Sequence, residues 1–297
     1  MLTAPKVTIG MPVYNGECTI RQSLDSVLAQ TFCDFELIIS DNASVDATEE
    51  ICRAYADRDS RIIYVRQEAN IGATRNFKYV LENARGSLFM WWAADDTRSA
   101  DFIDRNAQFL DLNLEYVAST SPNCMEGSSV NGAGQVSFAM TGNVEERFQS
   151  FFDNCWKSHG IFYSLIRTES LRACSEVGLN YFGADWSINL FLAASGKVGR
   201  VEKGLAVFGA SGVSSKPNVW ADYRSRPIHW IMPFYEFSRY SYRLALGFKL
   251  LAKIDLVLRL LKLNFVSAAF QAYAEVREFF SLAKKRLKAI AFNRTYS

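Results

Sequence analysis

The first 121 residues alternate short apolar runs with longer segments in which apolar residues recur at helical spacing. This alternation is typical of βαβ units, in which crossover helices join parallel strands. It predicts an α/β/α sandwich around a mostly parallel sheet. The predicted strands are Val7–Met11, Glu36–Ser40, Arg61–Arg66, Ser87–Trp92 and Tyr116–Ser119, and the predicted helices are Ile20–Ala29, Ala47–Ala56, Thr74–Asn83 and Ala100–Leu112.

Composition narrows the class of protein further. Apolar residues make up 49% of the chain and charged residues 22%, which excludes a disordered or fibrous protein. The six cysteines are scattered without a Cys-x-x-Cys pair, so neither a zinc ribbon nor a disulfide framework is expected. The N-terminus lacks the basic start and apolar stretch of a secretory signal. We therefore expect reduced thiols and a cytoplasmic location.

Polar side chains follow three of the predicted strands. Residues 11–17 follow the first strand, Asp41 to Ser44 the second, and Ala93 to Asp96 the fourth. Ligands of an open parallel sheet bind beyond the carboxyl ends of its strands. The sequence therefore predicts a ligand site at this edge.

The loop after the first strand excludes two other kinds of enzyme. A nicotinamide-dependent oxidoreductase needs a Gly-x-Gly-x-x-Gly turn here, and a nucleotidyltransferase needs a glycine-rich basic loop. The chain instead reads Met11-Pro12-Val13-Tyr14-Asn15-Gly16. Neither activity is expected.

Four segments, taken together, resemble the family 2 glycosyltransferases. They are Pro12-Val13-Tyr14-Asn15, the turn Asp41-Asn42-Ala43-Ser44 with Asp46, the turn Asn70-Ile71-Gly72 with Arg75-Asn76, and the acidic pair Asp95-Asp96. Their order and spacing make the match specific, whereas any one alone would be weak. The resemblance implies the Rossmann-like GT-A fold, a nucleotide-sugar donor, a divalent cation (Mn²⁺ or Mg²⁺) and, usually, inversion at the anomeric carbon.

The resemblance also implies roles for single residues. It puts Asp41 at the ring N–H of the base, with uridine diphosphate preferred, and Asp95 at the metal and diphosphate, with Asp96 as a second candidate ligand. A cation held by one or two carboxylates and phosphate oxygens would neutralise a leaving diphosphate. The other residues implied to bind the nucleotide sugar are Pro12, Tyr14, Asn15, Glu17, Asn42, Ser44, Asn70, Gly72, Arg75, Asn76 and Ala94.

The acidic pair has a plainer alternative and an unusual neighbour. Asp95 and Asp96 could merely cap the helix that starts near Ala100. Ala93 stands where the family usually has an earlier acidic residue. This departure leaves the identity of the donor sugar open.

Inverting transfer needs a general base, and the resemblance puts it at the start of a downstream helix. The segment Gly183-Ala184-Asp185-Trp186 fits, with Ala184 in place of a more common acidic residue. Asp185 is the predicted base, and a helix N-cap is its alternative. His159 and Trp186 are candidates for the acceptor cleft, and His229 is a candidate metal ligand. Ordinary packed or solvated side chains are the alternative for all three.

The C-terminal segment differs in charge from the body. Residues 240–297 carry 11 Lys and Arg against 3 Asp and Glu, whereas residues 1–239 carry 22 against 28. The helical pattern is amphipathic, and no stretch of about 20 uncharged residues could span a bilayer. We expect a GT-A domain over 1–238, with nucleotide-sugar and acceptor halves at 1–121 and 122–238, followed by a basic helical region over 239–297.

Three partners remain open for the basic helical region. Its residues 243–294 could lie on an anionic membrane, pack on the catalytic domain, or bind a second subunit in an oligomer. Nucleic acid is not expected, because no recognition module is present. The predicted function is transfer of a sugar to a hydroxyl of a glycan or lipid-linked glycan. The alternative, suggested by Ala93 and Ala184, is a catalytically silent relative that binds nucleotide sugar or acts as a scaffold in glycan assembly.

Overall fold

The computed structural model describes residues 4–127, 137–156, 160–210 and 218–295, with side chains through residue 280. The chain divides into two compact units, Met1–Gly212 and Val213–Ser297. The sequence placed its domain boundary at residue 238 instead. The difference arises because residues 218–238 bond to the long last helix: Arg224 pairs with Glu275, and the Phe234 N–H donates to Asn264 Oδ1.

A seven-stranded sheet forms the centre of the first unit, in the order β3-β2-β1-β4-β8-β6-β9. Four of its six pairings are parallel, and β8 runs antiparallel to both neighbours. The mostly parallel α/β fold predicted from the sequence is thus confirmed. The strands are β1 (Val7–Val13), β2 (Phe35–Asp41), β3 (Ile62–Arg66), β4 (Leu88–Trp91), β6 (Tyr116–Thr120), β8 (Leu165–Arg167) and β9 (Lys197–Arg200).

A second sheet has three short strands, and the first of them follows β4 in the sequence. It consists of β5 (Thr97–Arg98), β10 (Ala206–Phe208) and β7 (Asn123–Met125), with β10 in the middle. The sequence did not predict these strands, because they are only two or three residues long and show no alternation. Their effect is to bring residues after 205 back to the segment that follows β4.

Within the described residues of the first unit, seven helices accompany these strands. They are α1 (Ile20–Leu28), α2 (Thr48–Ala56), α3 (Ala73–Glu82), α4 (Phe102–Leu112), α5 (Val144–Asn154), α6 (Thr168–Arg172) and α7 (Ala184–Ser195). The predicted elements of the first 121 residues are all present with shifted ends. For example, β1 continues past Met11 because Pro12 and Val13 still pair with Ser40 and Asp41 of β2.

The core lies where the sheet meets its helices. All seven residues of β1 and all seven of β2 are buried. Ile9 and Met11 of β1 and Leu24 and Val27 of α1 belong to one apolar cluster and have no exposed surface. Burying an aliphatic side chain of this size stabilises a fold by about 1.5–3 kcal/mol. The strands are therefore a fixed platform for the loops at their carboxyl ends.

The second unit is helical. It contains α8 (Tyr235–Leu244), α9 (Leu250–Thr295) and two short 3-10 segments, Val219–Tyr223 and Pro227–Trp230. Asn264 joins α9 to the start of α8: it accepts from the Phe234 N–H at 2.9 Å and donates to Ser238 Oγ at 2.9 Å. Within the described residues, none of the helices combines the length and apolar character needed to cross a bilayer.

Candidate active site

The loop after β1 is hydrogen-bonded to the loop after β2. The backbone N–H groups of Asn15 and Gly16 donate to Ser44 Oγ at 2.9 Å and Thr48 Oγ1 at 2.8 Å. In return, Asn15 Oδ1 accepts from the Val45 N–H at 2.9 Å, and Glu17 Oε2 accepts from the Ala47 N–H at 2.9 Å. We call residues 14–17 and 44–48 the loop pair. It brings the predicted nucleoside residues Asn15, Glu17 and Ser44 together.

Two further predicted nucleoside residues are Pro12, which precedes the loop pair in the sequence, and Tyr14, which begins it. Pro12 is buried within β1, whereas the side chain of Tyr14 is half exposed. Asn15 has a positive φ of 52°, which asparagine tolerates better than most residues. Tyr14 is thus the aromatic residue of this loop that a base could stack on.

Asp41, at the end of β2, is fully buried and already bonded. Its Oδ1 accepts from the Ser44 N–H at 2.8 Å, and its Oδ2 accepts from Tyr64 Oη at 2.8 Å and Arg66 Nη1 at 3.0 Å. Burial, reinforced by the hydrogen bond to Asp41, raises the pKa of Tyr64, so the phenol stays protonated as a donor. Asp41, the carboxylate predicted to bind the nucleobase, is therefore the centre of a hydrogen-bond network that joins the ends of β2 and β3.

Asparagines tie the third predicted loop to the end of β2. Asn42 Nδ2 donates to Asn70 Oδ1 at 2.9 Å, and Asn42 Oδ1 accepts from the Ile71 N–H at 2.8 Å. Gly72 takes a φ of 86° just before α3, a conformation that favours glycine. Asn76, inside α3, is buried and donates to the Ser40 carbonyl at 2.8 Å. The structure thus brings Asn42, Asn70, Gly72 and Asn76 together.

The next residue of the predicted set, Arg75, is exposed on the first turn of α3. An exposed guanidinium at a helix start can reach a negatively charged ligand that approaches from solvent. Its role in binding the donor stays a prediction.

The predicted metal residue Asp95 follows β4 at the same edge of the sheet. Ser23 of α1 donates to the Ala93 carbonyl at 3.1 Å. This bond holds the backbone just before Asp95 in place. A Cβ on Gly16 would lie 3.7 Å from Ala94 Cβ, so Ala94 adjoins the loop pair. A Cβ on Gly209, just after β10, would lie 2.5 Å from Asp95 Cγ. Only glycine at 209 leaves Asp95 its present position.

Asp96 differs from Asp95 in being buried. Its Oδ1 accepts from the Gly209 N–H at 3.1 Å, and its Oδ2 lies 3.8 Å from Arg98 Nη2. Arg98 is itself buried and stacks on Trp92, with its Cζ 4.1 Å from the ring centroid. Burial raises the pKa of Asp96 to about 6, against the opposing effect of Arg98. The hydrogen bond to Asp96 thus holds Gly209 beside Asp95. The role of Asp96 as a second metal ligand stays a prediction.

Neither acidic residue caps α4. The N-cap of that helix is Asp101, and β5 separates it from Asp95 and Asp96. The plainer alternative for the acidic pair is therefore wrong. Asp185 also is not an N-cap, because Gly183 occupies that position and Asp185 lies in the first turn of α7. A helix N-terminus stabilises a carboxylate there.

Tyr163 connects the two predicted acidic centres. It comes just before β8, and because β8 is antiparallel to β4, its start lies at the edge where β4 ends. Burial raises the pKa of the Tyr163 phenol, and the negative charges of Asp96, Asp95 and Asp185 raise it further. Its ring packs against Phe208 at a centroid distance of 5.3 Å. The three carboxylates therefore lie within electrostatic range of one phenol.

Trp186 is buried rather than open to a cleft. Its ring meets Trp156 edge-on at a centroid distance of 5.2 Å and Phe151 at 6.0 Å. Trp156, in contrast, has 54% of its surface exposed. The aromatic surface available to an acceptor near α7 is therefore that of Trp156, and Trp186 supports it from behind.

The sequence also predicted roles for two histidines. His159 lies outside the described residues. His229, in the second unit, accepts from the Ser225 N–H through Nδ1 at 3.2 Å, so its Nε2 carries the proton and faces Glu236 Oε1 at 3.1 Å. Both ring nitrogens are thus engaged in hydrogen bonds within the second unit.

The donor set suits a cation that shares its coordination with a ligand. Among the described residues, no group of three or more His, Cys, Asp and Glu side chains could hold a metal ion by itself. Asp95 is partly exposed at the ligand edge of the sheet, and Mg²⁺ or Mn²⁺ is often held by one or two carboxylates plus phosphate oxygens. The residues present fit such an ion, with Asp95 as the protein ligand.

Sequence reasoning missed several residues of this site. Tyr64 and Arg66 end β3 at the same sheet edge, and the strand-end rule applied to the other strands would have found them. Tyr163 and Gly209 had no signal, because they reach the site through an antiparallel strand and a short second sheet.

Comparison with known proteins agrees with this architecture. The family model described as glycosyl transferase family 2 matches residues 8–167. Glycosyltransferase GlyA of Streptococcus pneumoniae is 28% identical over 174 residues, which cover 58% of this chain and 23% of GlyA. The putative glycosyltransferase EpsE of Bacillus subtilis is 30% identical over 135 residues, which cover 45% of this chain and 49% of EpsE. The chain thus matches half or less of the length of these relatives.

Solved structures show the same fold. S. aureus TarS 1–349 in complex with UDP-GlcNAc superimposes with a TM-score of 0.57 at 17% identity, covering 94% of this chain and 92% of that one. The mannosyltransferase PcManGT from Pyrobaculum calidifontis, in complex with GDP-Man and Mn²⁺, gives 0.55 at 15% identity, covering 94% and 88%. Because the family match extends over more than half of its residues, this chain belongs to glycosyl transferase family 2 and has the GT-A fold.

Proposed function

We propose that this chain transfers a sugar from a nucleoside-diphosphate sugar to a hydroxyl group of a glycan or lipid-linked glycan, with inversion at the anomeric carbon. A UDP-sugar is the first candidate donor. The observation that carries the proposal is that Asp95 follows β4 at the same edge of the parallel sheet at which Asp41 ends β2. The negative charges of Asp96, Asp95 and Asp185 all raise the pKa of the Tyr163 phenol, which supports assigning the proposed metal carboxylate and the proposed base to one site.

The donor half of the proposal rests on the loops after β1 and β2 and on the turn before α3. The exposed Tyr14 offers a ring to the nucleobase, and the hydrogen bond from Asn15 to Ser44 holds together the loop pair that would contact the nucleoside. The neighbours crystallised with UDP-GlcNAc and with GDP-Man and Mn²⁺ support a nucleotide-sugar ligand for this fold. They leave the choice of nucleotide to experiment.

The chemistry follows from the two carboxylates. Asp185 accepts the proton of the acceptor hydroxyl, whose oxygen forms a bond to the anomeric carbon as the bond to the diphosphate breaks. A divalent cation at Asp95 would supply the positive charge that neutralises the departing diphosphate. The raised pKa of the Tyr163 phenol leaves it protonated, so it would act near these carboxylates as a hydrogen-bond donor.

The acceptor half rests on α7 and the residues before it. Trp156 exposes an aromatic face next to Trp186, which directly follows Asp185. Aromatic faces of this kind pack against the apolar faces of sugar rings. We propose that a glycan acceptor stacks on Trp156 and presents its hydroxyl to Asp185.

Activity measurements with matched carboxylate variants test the proposal. The wild type is assayed for donor hydrolysis and transfer with UDP-GlcNAc and other nucleotide sugars in Mn²⁺, beside Asp95→Asn, Asp185→Asn and the exposed control Asp57→Asn. We expect both site variants to lose at least roughly a hundredfold in rate, with the control unchanged. Asp185→Asn should still bind UDP and Mn²⁺, whereas Asp95→Asn should lose the dependence of UDP binding on Mn²⁺.

Two results would contradict this assignment. Nucleotide binding without any turnover in the wild type would favour the alternative, a catalytically silent relative or scaffold in a glycan assembly complex. Turnover that survives in Asp185→Asn would remove Asp185 as the base.

A further inference from the structure

One face of α9 exposes apolar side chains along its first four turns. The exposed surface of these residues ranges from 48% for Ile254 to 80% for Leu251. At 1.5 Å per residue the face is about 23 Å long. We call it the α9 face, and it consists of Leu250, Leu251, Ile254, Leu258, Leu261 and Phe265.

The opposite side of the same turns already packs within the second unit. Leu256, Leu260, Leu263 and Asn264 are buried, and Asn264 bonds to both ends of the first turn of α8. The helix is therefore anchored through this buried side. The α9 face is a second apolar surface of the helix that the second unit does not need for its own packing.

The charges around the α9 face are mostly positive. From Arg243 to Phe265 the chain has five basic residues and one acidic residue. That acidic residue, Asp255, is ion-paired with Arg259 at 2.7 Å. Lys249 and Lys262 are exposed and Lys253 is half-buried, and long lysine side chains can extend from an apolar surface to place their ammonium groups in a polar layer.

We propose that the α9 face docks on an anionic lipid surface, with its apolar side chains in the headgroup boundary and its lysines at the lipid phosphates. An interfacial helix of this kind combines apolar area with attraction between basic residues and anionic lipids. The proposal concerns where the protein resides and stands apart from the sugar-transfer chemistry.

The charge distribution favours lipid over a second copy of the chain. A twofold interface brings the same patch of both subunits together. Here it would bring together two copies of a segment that carries five basic residues and one acidic residue, and that acidic residue is already paired with Arg259. Anionic lipid offers the opposite charge instead.

Vesicle flotation with the full chain tests the proposal. The wild type is mixed with phosphatidylcholine vesicles that contain phosphatidylglycerol and with vesicles of phosphatidylcholine alone. The test variant is Leu251→Glu/Leu258→Glu. The matched control is Leu112→Glu/Leu114→Glu, which changes the same residue type and the same charge at positions that are 84% and 79% exposed. Thermal unfolding confirms that both variants fold.

We expect the wild type to float with the anionic vesicles, and the α9 variant to lose roughly tenfold or more in vesicle affinity, with the control unchanged. Lys249→Ala/Lys262→Ala should weaken binding and reduce its dependence on salt. Equal affinity of the wild type for both vesicle types, or equal loss in both Leu→Glu variants, would overturn the proposal. So would a wild-type dimer that ignores vesicles and dissociates in the α9 variant, since that result assigns the face to a second copy.

Discussion

Arg66 Nη1 lies 3.0 Å from Asp41 Oδ2, and the Asp41 side chain has no exposed surface. Arg66 is one-third exposed and also pairs with Glu49 at 3.3 Å. Arg66 therefore covers the Asp41 carboxylate, which the family resemblance predicts to bind the nucleobase. A nucleobase that reaches Asp41 has to meet Arg66 and Tyr64 first.

The first prediction concerns the stability of this network. Arg66→Met removes a charged donor from a buried carboxylate, so we expect the urea concentration at the midpoint of unfolding to fall. Arg53→Met is the control, because Arg53 pairs with the same Glu49 but is exposed, and an exposed pair contributes little to stability. Equal losses would mean that Arg66 acts only as a surface charge.

The second prediction uses Gly209. A methyl group at this position would lie 2.5 Å from Asp95 Cγ, so Gly209→Ala must displace the carboxylate or the end of β10. We expect Mn²⁺-dependent UDP binding, measured by calorimetry, to weaken roughly tenfold or more. Gly247→Ala is the control, since nothing lies within 4 Å of its added methyl group. Unchanged binding in Gly209→Ala would show that Asp95 does not serve the metal.

The third prediction is a pH dependence of stability. Burial raises the pKa of Asp96 from 3.8 to about 6. Between these values the native state binds the proton more tightly than the unfolded chain does. The resulting stabilisation is complete below about pH 4 and is lost as the pH rises through about 6. Over that window it is worth on the order of 3 kcal/mol.

Asp96→Asn isolates this titration. The amide oxygen can still accept from the Gly209 N–H, but the side chain no longer ionises. The free energy of unfolding of the wild type should therefore fall relative to that of the variant between about pH 4 and pH 6. The exposed control Asp34→Asn keeps Asp96 and should follow the wild-type pH profile, and parallel profiles for all three proteins would contradict the prediction.

The fourth prediction concerns thiol reactivity. Cys18 and Cys33 are exposed, and the other four cysteines are buried. Burial raises the pKa of Cys52 to about 12, which holds it as the unreactive thiol. We expect a thiol reagent to modify two cysteines rapidly in the native protein and six after unfolding.

Nucleotide should slow the labelling of only one of the two exposed thiols. Cys18 follows Glu17 of the loop pair, whereas Cys33 lies between α1 and β2. UDP bound at the loop pair should therefore protect Cys18 and leave Cys33 as an internal control, as read by mass spectrometry. Protection of both or of neither would place the nucleotide elsewhere.

Local pattern was enough to predict the fold of the first 121 residues. The strands β1, β2 and β4 are buried apolar runs, and α1 to α4 carry clear helical periodicity, so these elements can be recognised without their neighbours. The same reasoning predicted the sheet edge at which Asp41 and Asp95 lie, because parallel strands end together.

Long-range contacts set what the sequence could not predict. Gly209 reaches Asp95 only because a three-residue strand pairs with a two-residue one. Tyr163 comes to the edge of the sheet where β4 ends because β8 runs antiparallel to β4. Trp186, chosen as a cleft residue, is buried by Trp156 and Phe151, which are distant in sequence. No local periodicity reports such pairings.

The hydrogen bonds within the loop pair, between residues 14–17 and 44–48, join groups of the chain itself. The conformational entropy of these loops is thus lost when the chain folds and not when a nucleotide arrives. A preorganised rim of this kind lets a nucleoside of the right shape dock without remodelling the backbone.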